Sequence, residues 1–286
     1  MGKRSSNNRT RQIMTIKFST MQFEPITHND LVEIRTIQPH DWADIVPDIE
    51  FYIHSSFCHP IKAVIDHRIV GTGTLIIFEN SCWIAHIIVG DRHRNKGIGS
   101  AIVNELLMTI RDKPIASCSL IATELGKPVY IKAGYRTVAS YSFMEREKPW
   151  MPDLISENII SFEEKYRAMV YELDRKISGE KRDGLLNDFL PNTILYVENN
   201  TLLGFYVPDL KEGFIFADTA EAGLALMQLK YAMIDKAVLP SENIAGVEFL
   251  KKNGFVERRT MTRMILGDDI PWQPEKIFSR IGGNLG

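Results

Sequence analysis

A chain of 286 residues holds one or two domains of ordinary size, and its 44% hydrophobic and 24% charged residues are those of a globular protein. A formal net charge of -2 leaves no overall pull toward nucleic acid or an anionic membrane, so any anion site has to be local. Three cysteines, odd in number and far apart, exclude a disulfide framework and a Cys-x-x-Cys pair and suit a reducing compartment.

Residues 1–30, basic and without an acidic side chain before Glu24, read as a polar tail that lacks the apolar stretch of a secretory signal. No run approaches the roughly 18 apolar residues of a membrane span, and the expected location is the cytoplasm. Order is expected from Leu31: residues 31–37 alternate as a strand, and 40–46 follow as a short helix. Residues 61–79 carry two β-rich runs meeting in a hairpin at Asp66-His67-Arg68. Residues 82–89 are apolar on both faces and predict a buried central strand, with Ile84, His86 and Ile88 on one side. Ile98, Ile102, Leu106 and Ile110 recur at helical spacing, and that helix stops before Lys113-Pro114. A second buried strand (115–123), a short helix (127–134) and a strand (135–144) complete a first domain at 31–147.

Two prolines and mixed charge mark 148–158 as a linker. Beyond it, 161–177 has amphipathic helical spacing, and 193–207 is a hairpin turning on Asn199-Asn200, residue types that tolerate positive φ. Residues 220–234 and 243–255 read as helices, the latter closed by Gly254, and 256–266 as a last strand. The fold class is α/β (α+β), with a second domain at 159–286.

The densest local positive charge lies where the central strand hands over to the first apolar helix, "VGDRHRNKGIGSAIV", residues 89–103. A helix start leaves backbone N–H groups unpaired, and these donors with the positive end of the helix dipole attract anions. Gly97 and Gly99 keep side chains away from an approaching phosphate, while Arg92, His93, Arg94 and Lys96 draw it in. The run is not a P-loop, which needs Gly-x-x-x-x-Gly-Lys-Ser/Thr. Nor is it a dinucleotide fingerprint, since the third glycine is missing and several strands precede it. What remains is Arg94-Asn95-Lys96-Gly97-Ile98-Gly99, an R-x-x-G-x-G signature. Downstream, "ATELGKPVYIKAGY" sets Tyr130 four residues before Gly134-Tyr135. Together the two motifs, spanning 82–139, resemble the GNAT family of acetyl-CoA-dependent N-acetyltransferases, and the flanking strands extend the likeness from about 31 to 150. The form A-T-x-x-G-x-P-x-Y is similar to a bacterial branch with a second domain appended.

The resemblance implies two GNAT-like domains, each a mixed, mostly antiparallel sheet flanked by helices. It implies that strand 83–89 splays from its neighbour to admit the pantetheine arm of acetyl-CoA. The main chain of Ile87, Ile88 and Val89 would pair with that arm; Arg94, Asn95, Lys96, Gly97, Ile98, Gly99 and Ser100 would hold the pyrophosphate, and Thr123 would close the set. The activity implied is acetyl transfer to a primary amine of a small molecule or peptide, by direct attack in a ternary complex. Such a transfer needs a base for the amine, a donor for the oxyanion, which a strand N–H near Val89 supplies, and an acid for the leaving thiolate. The family gives the acid role to the tyrosine matching Tyr130. For the base, His86, Glu79 and Glu124 stay open, and His86 is equally a core histidine, so the catalytic set is Tyr130, His86 and Glu124. Trp42, Phe51, Tyr52 and His54 are candidate walls of the acceptor pocket. His54, Cys58 and His59 gather in "HSSFCHP" but match no zinc spacing, so no metal is expected.

Residues 239–259 repeat the closing motif, with Lys252, Gly254 and Phe255 opposite Lys132, Gly134 and Tyr135. Leu250 takes the place of Tyr130, and no R-x-x-G-x-G lies upstream, so the second domain is a degenerate copy. Asn243 stands where many family members have an asparagine that touches CoA. Neither nucleic acid nor membrane is expected as a partner, and a homodimer is left open. The alternative activity is an acyl-CoA-binding sensor or regulatory module without catalysis.

Overall fold

The computed structural model describes residues 21–40, 42–148, 150–152 and 156–285. Most of the expected tail lies outside these residues, as do Asp41 and part of the expected linker. Its last part is β1 (Gln22–Pro25), so the ordered chain begins before Leu31. The first half continues with α1 (Leu31–Ile37), α2 (Val46–His54), β2 (Cys58–Ile65), β3 (Arg68–Ile77), β4 (Ser81–Val89), α3 (Ile98–Met108), β5 (Ser117–Ala122), α4 (Lys127–Lys132) and β6 (Arg136–Arg146). The second holds β7 (Ile159–Ser161), α5 (Arg167–Ser178), α6 (Asp183–Leu186), β8 (Ile194–Glu198), β9 (Thr201–Val207), β10 (Phe214–Ala217), α7 (Ala220–Tyr231), β11 (Lys236–Pro240), α8 (Ile244–Lys252), β12 (Phe255–Gly267) and β13 (Ile277–Ser279).

Two expectations near the start are corrected. Residues 31–37 form a helix, not a strand. A capping box precedes it, with the Asp30 carboxylate accepting from the Thr27 N–H at 2.7 Å, and Leu31, Ile34 and Ile37 turn to the core at a spacing of three. The helix expected at 40–46 starts only at Val46, because Pro47 presets the first turn and Ile49 and Tyr52 supply the buried stripe. The hairpins stand as expected, with Asp66 and His67 at φ 49° and 60° and Asn199 and Asn200 at 50° and 62°.

The architecture is mixed α/β, with two sheets flanked by helices. One sheet has eight strands in the order β1-β2-β3-β4-β5-β12-β6-β11, the other five in the order β13-β10-β9-β8-β7. Within the larger sheet β4 and β5 pair in parallel and every other neighbour is antiparallel. That sheet crosses between the halves. The second half's β12 lies between β5 and β6, and the first half's β6 lies between β12 and β11, so each half covers strand edges that the other would leave bare. α1 and α2 pack on one face of the first half's strands, in a core that Trp83 and Ile88 share with Val170, Leu186, Phe205 and Phe214 of the second half. α3 and α4 cover the opposite face through Ile102, Leu106 and Tyr130. Cys58, Cys82 and Cys118 are free and buried. Among the described residues no helix is long and apolar enough to cross a membrane.

Candidate functional site

The site begins where two strands part. β4 and β5 pair only at Ser81–Ser117, Cys82–Cys118 and Trp83–Ser119, after which β4 runs on to Val89 and β5 to Ala122 without partners for each other. The vertex of this wedge is pinned from the second half, since Trp83 Nε1 and Ser81 Oγ both donate to Glu180 Oε1, at 2.7 and 2.8 Å. Within the unpaired stretch β4 bulges. Its register against β3 shifts between Thr72 and Thr74, and His86 stands at φ 48°. The bulge also corrects the expected alternation: Ile88 belongs to the α1/α2 core and Ile84 to the α3/α4 core, so His86 does not share one face with both.

Past β4 the chain makes one tight turn and enters α3, whose cap is Gly97 at φ 81°. Glycine has no side chain to satisfy the first amides of the helix, and among the described residues no other side chain caps them. A Cβ on Gly97 would meet nothing within 4 Å, and one on Gly99 only methyls of Val89 and Val129 at 3.7 and 4.0 Å, so the approach to the helix start is open. Two of the nearby cations brace the loop. Arg94 Nε donates to the Val89 carbonyl at 3.2 Å and its guanidinium pairs with Asp91 at 2.8 Å, while Lys96 Nζ donates to the Arg92 carbonyl at 2.9 Å. Asn95, at φ 60°, completes a turn of exposed residues beside Ile98 and Ser100. The ten expected cofactor residues from Ile87 to Ser100 thus lie around one mouth, and Thr123 directly follows β5 on its far side, where its hydroxyl accepts from the Gly126 N–H at 3.2 Å.

Val129, next to Gly99, brings α4 and Tyr130 to the same mouth. Tyr130 is buried, its ring edge-on to Tyr135 at 5.9 Å, and its hydroxyl has no hydrogen-bond partner among the described residues. Burial pushes its phenol up, so it keeps its proton at neutral pH. His86 lies under α2. Its Nδ1 is 2.8 Å from the Tyr52 hydroxyl and its Nε2 3.7 Å from Asp48 Oδ2, while Asp48 Oδ1 takes Lys211 Nζ at 2.6 Å. The Asn284 amide donates to the same Tyr52 hydroxyl. Burial pulls the His86 imidazole below its ordinary range, Asp48 opposes this and Lys211 reinforces it.

The other base candidates stand apart. Glu124 is exposed in the β5–α4 turn and shares no hydrogen bond or ion pair with His86 or Tyr130 among the described residues. Glu79 is exposed at the opposite end of β4, where Lys181 pairs with it at 2.6 Å and holds its carboxyl down. Of the expected pocket walls, Tyr52 is fully buried, the Trp42 ring stands edge-on to His86 at 6.1 Å, and His54 lies 5.0 Å from His28. Burial pushes the Cys58 thiol up to about 12. Among the described residues no three metal-ligating side chains lie close enough to hold an ion. Asp48, Lys211 and Asn284 were missed by sequence reasoning. Asp48 and Tyr52 sit four apart on α2, a signal visible only once that helix is placed correctly; Lys211 and Asn284 carry no local signal at all.

Among the described residues the second half shows no matching opening. β13 runs along β10 and is tied to β11 by the Arg280 N–H bonded to the Val238 carbonyl at 3.0 Å, so chain fills the place where β4 and β5 part in the first half. Asn243 is spent within the protein: its amide nitrogen donates to the Ile277 carbonyl of β13 at 3.0 Å and its oxygen caps α8. The start of α7 is closed by the Thr219 hydroxyl and carries Glu221 in its first turn, both unfavourable to a phosphate.

A family profile described as Acetyltransferase (GNAT) family matches residues 28–128, and one described as Acetyltransferase (GNAT) domain matches residues 170–279. A proposed acetyltransferase from Pyrococcus horikoshii is similar in fold, with a TM-score of 0.78 at 18% identity over 96% of this chain and 98% of that one. A GCN5-related N-acetyltransferase from Sphaerobacter thermophilus gives a TM-score of 0.62 at 13% identity over 88% and 98%. Among curated proteins none matches the sequence. With one match in each half and the same architecture in both solved structures, the chain belongs to the GNAT acetyltransferase family and is a tandem member of it.

Proposed function

We propose that the first half binds acetyl-CoA in the β4–β5 wedge and transfers its acetyl group to a primary amine of a small molecule or peptide, both substrates being bound together. The observation that carries this reading is the continuity of two open features, an unpaired β4 edge and an uncapped α3 N-terminus, at one mouth. The residues present fit the group. An extended arm with amides finds the free edge at Ile87, Ile88 and Val89, and a pyrophosphate finds the amides from Asn95 to Ser100 with Arg94 and Lys96 beside them. Bound acetyl-CoA supplies the acyl group as a thioester. Tyr130 holds its proton on Oη at the inner side of α4, as an acid must. α1 and α2 cover the β4 bulge and shield it from bulk water.

Calorimetric titration of acetyl-CoA tests the reading. The wild type is expected to bind one molecule per chain and the double variant Gly97→Glu, Gly99→Glu none. Two equivalents would show that the second half is also a cofactor site; no binding by the wild type would end the transferase reading.

A further inference from the structure

The polar chain beneath α2 crosses from one half of the protein to the other. Tyr52 is fully buried, so its hydroxyl proton needs an acceptor within the protein. Its two polar neighbours are unequal. The Asn284 amide nitrogen can only donate, whereas His86 Nδ1, at 2.8 Å, can accept. Tyr52 therefore receives from Asn284 and donates to His86, and a neutral imidazole that accepts at Nδ1 carries its own proton on Nε2. Nε2 faces Asp48 Oδ2 across 3.7 Å, too long for a direct hydrogen bond, and the Asp48 side chain is 30% exposed.

The charged and titratable groups facing the imidazole, among the described residues, are Asp48 and Tyr52 on α2 and Lys211 in the β9–β10 turn. Lys211 holds Asp48 Oδ1 at 2.6 Å and lies 4.2 Å from the centre of the Phe51 ring. It neutralises part of the charge that would otherwise draw a proton onto His86.

We propose that Asn284 and Lys211, both from the second half, are positioning residues for the first half's site: they hold His86 as an Nε2–H hydrogen-bond donor rather than a base. The lone pair on that side then belongs to Asp48 Oδ2. The proposal rests on the reading of the wedge as the acetyl-CoA site, since that reading puts the β4 bulge beside the acyl group. It gives a half without a cofactor slot a task in its neighbour's chemistry.

Nitrogen-15 NMR of histidine-labelled protein reads this directly, with the His86 signals identified by their loss in His86→Gln. The wild type is expected to show His86 neutral near pH 7, with its proton on Nε2. Asn284→Asp puts an acceptor of the same shape where a donor stood, so Tyr52 turns to it and His86 Nδ1 becomes protonated. Lys211→Met moves the His86 titration upward, and Lys211→Arg restores it. A purely structural role for Asn284 would leave the protonated nitrogen unchanged. A wild-type His86 protonated on Nδ1, or an Asn284→Asp variant still protonated on Nε2 alone, overturns the proposal, and the wild-type spectrum decides even if a variant fails to fold. Calorimetry with acetyl-CoA on the same samples reads the cofactor separately, so a failed wedge and a wrong tautomer give different results.

Discussion

Tyr130 and His86 were both marked in the sequence, and the structure separates them by environment. Tyr130 projects among apolar neighbours, its hydroxyl without a hydrogen-bond partner among the described residues, the setting of a group that keeps a proton until a stronger base arrives. His86 is held at Nδ1 by the Tyr52 hydroxyl of α2, while its Nε2 faces Asp48 of the same helix across 3.7 Å. Replacing Tyr130 by Phe is expected to lower kcat by about 10²-fold or more, the range for loss of a general acid, while the acetyl-CoA Kd changes by less than about twofold. Steady-state kinetics on an amine found by screening, with calorimetry beside it, measures both; an unchanged kcat ends the acid role. Tyr130 was legible because a motif at fixed spacing carries it. Asp48 was not, because its meaning depends on which side of which helix it occupies.

At the scale of elements, the two halves use corresponding parts in opposite ways. α3 begins at an uncapped glycine, and α7 begins at Thr219, whose hydroxyl accepts from the Ala222 N–H at 3.2 Å. β4 and β5 part over a free edge, whereas β13 closes the corresponding place and is pinned to α7: Lys230 Nζ donates to Ser279 Oγ at 2.6 Å and to the Gly213 carbonyl. Burial pulls the Lys230 amine down from 10.5 to about 7, against Glu212 and with Arg280. Between these values the unfolded chain holds a proton that the native protein has released. The contribution of Lys230 to stability therefore rises with pH from about 7 to 10.5 and is lowest below that window. Urea unfolding across this range is expected to show that rise in the wild type and its loss in Lys230→Met. Equal slopes would mean that the native amine keeps its ordinary affinity for protons. The composition of this strand gave no warning of its place, since three residues are too few for a periodic signal.

For the whole molecule, the decisive feature is the exchange of long strands. β5 and β6 are neighbours in sequence but not in the sheet, because β12 stands between them. A fragment of residues 21–147 would leave both strands with bare edges and would open the core shared by Trp83, Ile88 and Phe205. It is expected to be unfolded or aggregated by circular dichroism and size-exclusion chromatography; a folded monomer that binds acetyl-CoA would show that β12 is dispensable to the site. Glu180 adds a polar link of the same kind, reaching from the second half to Ser81 and Trp83 at the vertex of the wedge. By itself the sequence determined the features written in local chemistry: the glycine- and cation-rich turn at 89–103, the helix that follows it, the two asparagine- and aspartate-led hairpins, and a second copy stripped of its signature. Periodicity, turn residues and helix caps act over a few positions and can be read there. Which strand lies beside which, and which side chains meet at His86, were decided only by the tertiary structure. Strand edges and buried polar groups take partners by proximity in space, and the Asn284–Tyr52 bond joins residues 232 positions apart.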